Sequence, residues 1–120
     1  MKIDDTKFGS ITIDGQTYPY DVYILPSGKI EKRNKKNSPR IGGHRSLGAS
    51  EIQYLLAFEP EMLFIGKGQT GVLPFQPLGK DMLENAGIPI FIENTPELIL
   101  KFNNSYSQGI KLGAIFHTTC

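Results

Sequence analysis

The sequence predicts an α/β fold in a single three-layer domain: an N-terminal antiparallel β-meander plus a mixed central sheet flanked by about three helices. Three observations predict it. The first third alternates apolar and polar residues with period two, as half-buried strands do. From residue 50 onward, capped helical segments alternate with short continuous apolar runs, the pattern of strands covered on both faces. The length, 120 residues, suits one domain, divided into a meander at 1–33, a basic loop at 34–49 and an alternating α/β part at 50–120.

Each element has its own warrant. Ile11 and Ile13 alternate with Ser10 and Thr12, and Asp14-Gly15 supplies a two-residue hairpin turn. The next strand puts Tyr18, Tyr20, Val22 and Ile24 on one face and Pro19, Asp21 and Tyr23 on the other. Pro19 has no N–H for a ladder bond, so this strand is expected to be unpaired or bulged there. Pro26-Ser27-Gly28 turns the chain into a short third strand around Ile30. Ser50 with Gln53 reads as a capping box before Ile52, Leu55 and Leu56, and Glu59-Pro60 ends that helix. Met62–Ile65 and Ile88–Ile92 are apolar runs expected as strands. Between them a helix is expected from about Gly79 to Ala86, with Gly87 as its left-handed end. Thr95 is expected to cap a third helix that has Pro96 in its first turn and Leu98, Phe102 and Tyr106 as its buried stripe. Ile110, Leu112, Ala114 and Phe116 alternate along the last strand.

Composition narrows the class. Seven Phe and five Tyr within a hydrophobic content of 39% are enough for a core, which excludes wholesale disorder. No apolar run approaches a bilayer span, so membrane insertion is not expected. Met1-Lys2-Ile3-Asp4-Asp5 has neither an apolar signal core nor a resemblance to a mitochondrial targeting segment. The single cysteine, Cys120, excludes an internal disulfide framework and fits a reducing compartment. A cytoplasmic location is the expectation.

The net charge of +1 hides an asymmetry. Residues 29–45 hold Lys29, Lys32, Arg33, Lys35, Lys36, Arg40 and Arg45 against one acid, Glu31, a local +6 within a chain whose remainder is −5. Such a segment suits docking to phosphate or to an acidic partner, and Lys32, Lys35, Lys36, Arg40 and Arg45 are the candidate partner-binding residues. It equally suits a solvated edge and loop. Nucleic acid is disfavoured, because residues 29–45 contain no aromatic side chain on which a base could stack.

Gly66-Lys67-Gly68-Gln69-Thr70-Gly71 follows an expected strand and matches G-x-G-x-x-G, with Glu93 at the spacing of a ribose-binding acid. The context argues against a dinucleotide. The fingerprint needs a helix opening inside the glycine run, and Pro74 and Pro77 prevent an early helix. A milder reading keeps Gly66, Lys67, Gly68 and Thr70 as a small-anion or metabolite site, supported by Arg33 or His44, with or without catalysis. No cofactor is expected.

His44, His117 and Cys120 are the only soft metal ligands and are too few for a zinc site, so no metal is expected. His117 could serve Cys120 as a base, but a chain-terminal nucleophile is hard to hold rigidly, and no catalytic residue is assigned. Asp4-Asp5 and Glu59/Glu61 read as solvated acids.

The tail Gly109-Ile110-Lys111-Leu112-Gly113-Ala114-Ile115-Phe116-His117-Thr118-Thr119-Cys120 resembles the ending of the adipogenesis-associated domain family, to which a mitochondrial assembly factor of respiratory complex I is related. Gly66-Lys67-Gly68, Gly87-Ile88, Thr95 with Phe102-Asn103, Phe8-Gly9, and Arg33 with His44 resemble it too. Lys32 departs from it, since many relatives carry Trp there. The resemblance implies a three-layer α/β fold with a mixed sheet, no established catalytic residues, and action through proteins in assembly or regulation. A non-catalytic protein-binding module is therefore the expectation, with a small-anion site at Gly66–Gly71 as the alternative.

Overall fold

Alternation in the first third does produce strands, and they divide between two sheets. The structure, a computed structural model, describes residues 1–120. Strands β1 (Ile3–Lys7), β2 (Ser10–Ile13) and β3 (Gln16–Tyr18) form an antiparallel sheet in that order. Asp14 and Gly15 turn β2 into β3 with φ values of 50° and 78°, the positive pair that a tight hairpin requires. The first strand escapes the alternation rule because only Ile3 of its five side chains is buried. The strand expected through Tyr18–Ile24 breaks at Pro19-Tyr20, where the ladder has no donor. Beyond the break, β4 (Val22–Ile24) and β5 (Ile30–Lys32) pair as a hairpin in the central sheet.

The basic loop contains its own small hairpin, β6 (Arg40–Ile41) with β7 (His44–Arg45), turned by Gly42 and Gly43. Then come α1 (Ala49–Leu56), β8 (Met62–Lys67), α2 (Pro77–Glu84), β9 (Ile90–Glu93), α3 (Thr95–Ser107) and β10 (Leu112–His117). The five-stranded central sheet has the order β5-β4-β10-β8-β9. Its last strand in sequence is its middle strand in space. β10 runs antiparallel to β4 and parallel to β8, and β8 runs parallel to β9. The sheet is therefore mixed.

Its two faces bury separate clusters. On one side α3 and the β1–β3 sheet pack Ile3, Ile11, Val22, Phe64, Leu98, Phe102 and Phe116. On the other, α1 and α2 cover Tyr23, Ile52, Leu55, Leu63, Ile65, Leu83 and Ile115. The alternation of Leu63, Phe64 and Ile65 between clusters is the strand period written through a sheet covered on both faces. The expected three layers are present. The Phe102 ring meets Phe116 and Phe64 edge-on, each at 5.6 Å between centroids. No helix is long and apolar enough to cross a membrane.

The helices begin slightly earlier than expected. Helix α1 has Gly48 at its N-cap, and Glu51, not Gln53, reaches back to accept the Gly48 N–H at 3.2 Å. Ser38 Oγ from the basic loop accepts the same N–H at 3.2 Å. Helix α2 opens on Pro77, six residues after Gly71, so no helix opens inside the glycine run; the run instead meets the start of α3, where Thr95 N–H donates to the Gly68 carbonyl at 3.0 Å. In α3 the cap position falls on Asn94, and Thr95 is freed for a different bond.

Candidate functional site

Arg33 and the Asp21–Glu51 cage. Arg33 follows β5, Asp21 precedes β4, and the hairpin register that pairs Ile24 with Ile30 and Val22 with Lys32 sets Asp21 opposite Arg33. Arg33 is buried at 6% exposure. Its Nε and Nη2 donate to Glu51 Oε1 and Oε2 at 2.7 and 2.9 Å, its Nη1 to Asp21 Oδ2 at 3.0 Å, and Nη2 also to the Ser46 carbonyl at 2.7 Å. Glu51 further accepts the Tyr23 hydroxyl at 2.6 Å and the Ser38 hydroxyl at 2.5 Å. A guanidinium so fully occupied has little left for a ligand. Burial would raise the Glu51 carboxyl, but the bonds and charge of Arg33, with Ser38 and Tyr23, hold it below its usual value. The cage joins β4, β5, the basic loop and α1, so it fixes the root of the loop.

The glycine loop holds the chain's own tail. Gln69 N–H donates to the Thr119 carbonyl at 2.7 Å, and Val72 N–H to the Cys120 main-chain oxygen at 2.8 Å. The Thr70 hydroxyl donates to that same Cys120 oxygen at 3.1 Å. Gly68 N–H donates to Thr95 Oγ1 at 3.0 Å, and Thr95 passes its own proton to the His117 carbonyl at 2.7 Å. The glycines are there for close approach. A Cβ on Gly66 would lie 2.6 Å from Thr95 Oγ1, and one on Gly68, where φ is +100°, would lie 2.7 Å from His117 Cδ2. Lys67 points its ammonium over the Phe75 ring, 5.8 Å from the centroid. Glu93 is bonded to Lys101 at 2.8 Å. Loop donors that sequence reasoning offered to an anion are thus engaged by residues 95, 119 and 120.

A basic hollow opens where the loop, the tail and the small hairpin meet. It has a volume of about 200 Å³ and is lined by Lys35, Arg40, Gly43, His44, Arg45, Leu73, Pro74, His117 and Thr119. Of the sequence-predicted residues, it brings Lys35, Arg40, Arg45 and His44 together. Arg33 lines no part of it and reaches it only through Asp21, whose Oδ2 lies 2.7 Å from His117 Nδ1. Gly66, Lys67, Gly68, Thr70, Lys32 and Lys36 are not on its wall. The Lys32 ammonium sits over the Tyr20 ring at 5.2 Å. Thr118 N–H and Oγ1 donate to Asp21 Oδ1 at 2.8 and 2.9 Å. Burial would raise the Asp21 carboxyl, yet His117 above all, then Thr118 and Arg33, hold it far below the usual carboxylate range.

A second cleft, about 610 Å³, lies between β5 and α1 and has Tyr23, Glu31, Lys32, Glu51 and Tyr54 among its lining residues. Its acids are already partnered: Tyr54 donates to Glu31 at 2.6 Å, Lys29 pairs with Glu31 at 3.2 Å, and Glu51 belongs to the cage. No group of three or more His, Cys, Asp or Glu side chains is placed to hold a metal ion.

Sequence reasoning missed Asp21, Glu51, Ser38 and Thr119, and gave His117 no orienting group. One signal was available. Counting outward from the Pro26–Gly28 turn pairs Asp21 with Arg33, an opposite-charge cross-strand couple. Nothing local marks Ser38 or Thr119, whose roles arise from segments far apart in the chain.

Solved structures share this architecture. The conserved hypothetical protein PH1505 from Pyrococcus horikoshii OT3 is 32% identical over 100% of both chains, with a TM-score of 0.83. MT938 is 30% identical, covering 99% of this chain and 98% of its own, with a TM-score of 0.80. A Mth938-like domain from Bordetella pertussis shares the fold at 14% identity, with 98% and 85% coverage and a TM-score of 0.70. The sequence pattern of the family described as protein of unknown function (DUF498/DUF598) matches residues 3–117, and the chain belongs to that family.

Proposed function

We propose that the chain is a non-catalytic protein-binding module, of the assembly or regulatory kind, that docks an acidic segment of a partner protein on its basic loop. One observation carries the reading: Lys35, Lys36, Arg40 and Arg45 form no ion pair with any acid of this chain, although Arg33 beside them forms two. Arg45 Nη1 and Arg40 Nη1 instead donate to the Lys35 and Gly43 carbonyls at 2.6 and 3.3 Å, which stiffens the loop around a surplus of charge. A rooted loop of unpaired cations favours rapid capture of an acidic surface. The resemblance to the adipogenesis-associated family, whose better-known members act through proteins, supports the same reading.

The alternative, a small anion at Gly66–Gly71 held by Arg33 or His44, gains less support. Thr119 and Cys120 occupy the loop's donors, and Arg33 is bonded inward.

The test is quantitative affinity capture from the native host with the parent and with Lys35→Glu/Lys36→Glu. Each exposed substitution should change stability by no more than about 0.5 kcal/mol. Among captured proteins, one with an acidic surface should be depleted with the variant. Its association with purified parent should be faster at low salt and slower for the variant. Equal capture and equal rates would overturn the proposal.

A further inference from the structure

We propose that the basic hollow between the β6–β7 hairpin and the end of β10 binds a small phosphate-class oxyanion, and that His117 takes up a proton as the anion enters. The inference goes beyond the docking reading, since it needs no protein partner and stands if that reading fails.

Charge and size select the ligand. Three cations, Lys35, Arg40 and Arg45, line the hollow with no acid among its lining residues, and none of them is in an ion pair. Arg45 Nε is buried without a hydrogen-bond partner, one of two such side-chain atoms in the chain, and an orphan donor beside a basic hollow is what an anion satisfies. At about 200 Å³ the hollow is smaller than the roughly 300–1,000 Å³ of sites for drug-sized ligands. That is too small to enclose a nucleotide and suits a phosphate group. Three cations around one small volume favour a dianionic oxyanion over a singly charged carboxylate.

The proton follows from the bond order around His117. Asp21 Oδ2 is 2.7 Å from His117 Nδ1, and an ionised carboxylate only accepts, so Nδ1 carries hydrogen in either state of the ring. The nitrogen that changes is Nε2, which lies 3.2 Å from Thr119 Oγ1. With the ring neutral, Thr119 donates to Nε2 and turns its lone pairs outward. With the ring charged, Nε2–H donates to Thr119, whose own hydrogen is then free for an anion. An anion therefore favours the charged ring.

The surroundings act in the same sense. Asp21 holds the ring from behind and shares the same oxygen with Arg33. Lys35, Arg40, Arg45 and His44 line the hollow together with His117, and Lys67 is its register partner on β8. The Cys120 thiol follows three residues on. An anion among these cations sets a negative charge beside the ring.

The test is calorimetric titration of the full chain with sodium sulfate, which stays dianionic throughout, from about pH 5.5 to about pH 8.5 at constant ionic strength. Sulfate should bind about tenfold or more weakly at the upper end, and buffers of different ionisation enthalpy should reveal proton uptake. Arg45→Gln should abolish binding. His117→Gln should flatten the pH dependence, whereas His44→Gln should retain it. If His117→Gln does not fold, the proton count in the parent and Thr119→Val, which should bind more weakly at every pH, carry the test. Inorganic phosphate and O-phosphoserine distinguish a free anion from a phosphorylated side chain, and tight binding of either supports the site. Failure of the parent to bind sulfate or phosphate, or equally tight binding of acetate, would overturn the site. A pH dependence that survives in folded His117→Gln would overturn the role of His117.

Discussion

Arg33 and Glu51 face each other as a buried fork, Nε to Oε1 at 2.7 Å and Nη2 to Oε2 at 2.9 Å, across 18 residues of sequence. The pair ties the end of the β4–β5 hairpin to the first turn of α1, and every residue of the basic loop hangs between them.

Arg33→Ala should leave Glu51 and half of Asp21 buried without their cation. Loss of one partner from a buried pair costs about 3–5 kcal/mol. Urea unfolding should show that loss. A change below about 1 kcal/mol would mean that water replaces the guanidinium and that the cage is not structural.

Acid should dissolve the same cage. Asp21 and Glu51 are both held below their ordinary values, so each contributes stability that is complete above its unfolded value and lost as pH falls through its folded one. The urea midpoint should therefore begin to drop below about pH 5 and keep dropping toward about pH 2. Glu51→Gln should start less stable and fall less steeply. Tyr23 sets the opposite limb: burial, then Glu51 beside it, push its phenol well above the usual value, so stability should decline as pH rises past about 10. A flat profile in the parent at both ends would refute the ion-pair account.

Phe116 is fully buried and packs edge-on against Phe102. Phe116→Ala should cost about 3–5 kcal/mol by chemical denaturation, as deletion of a core aromatic does. Cys120→Ser should unfold at the parent's midpoint, because the bonds of residue 120 to the loop use its main-chain oxygen.

Two glycines with positive φ separate strain from crowding. Gly9 has φ +88° and open space around a notional Cβ, so Gly9→Ala should cost about 1–2 kcal/mol. Gly68 has φ +100° and would drive a Cβ into Cys120 and His117. Gly68→Ala should cost clearly more than Gly9→Ala and loosen the tail, read as faster amide exchange at Gln69 and Val72. Lys67→Ala should be nearly silent in stability. Equal costs at the two glycines would show that the tail yields freely.

The central architecture was legible because its signals are local. Unbroken apolar runs marked β8, alternation marked β10, and Asp14-Gly15 marked a hairpin turn with the φ values it requires. The first strand was not legible, since Asp4 and Asp5 face outward and Asp4 Oδ2 is spent accepting the Gly15 N–H at 2.8 Å. The start of α1 was misplaced because its cap is supplied from outside the helix, by Ser38. Of the site, the basic residues showed in the composition. Their separation did not: Arg33 is drawn inward by two acids, one of them 18 residues away, and Arg45 remains at the hollow. Charge count reads the same for both, and only burial tells them apart.

The position of β10 has a consequence for the order of events during synthesis. Residues 112–117 form the strand between β4 and β8, so every ladder bond joining the antiparallel side of the sheet to the parallel side passes through them. Without residues 112–117 the β4–β5 hairpin and the β8–β9 pair have no edge in common. Phe64, Leu98 and Phe102 then wait for Phe116, and the glycine loop waits for residues 119 and 120. The two halves can therefore join in one sheet only after the last strand of the chain has been made.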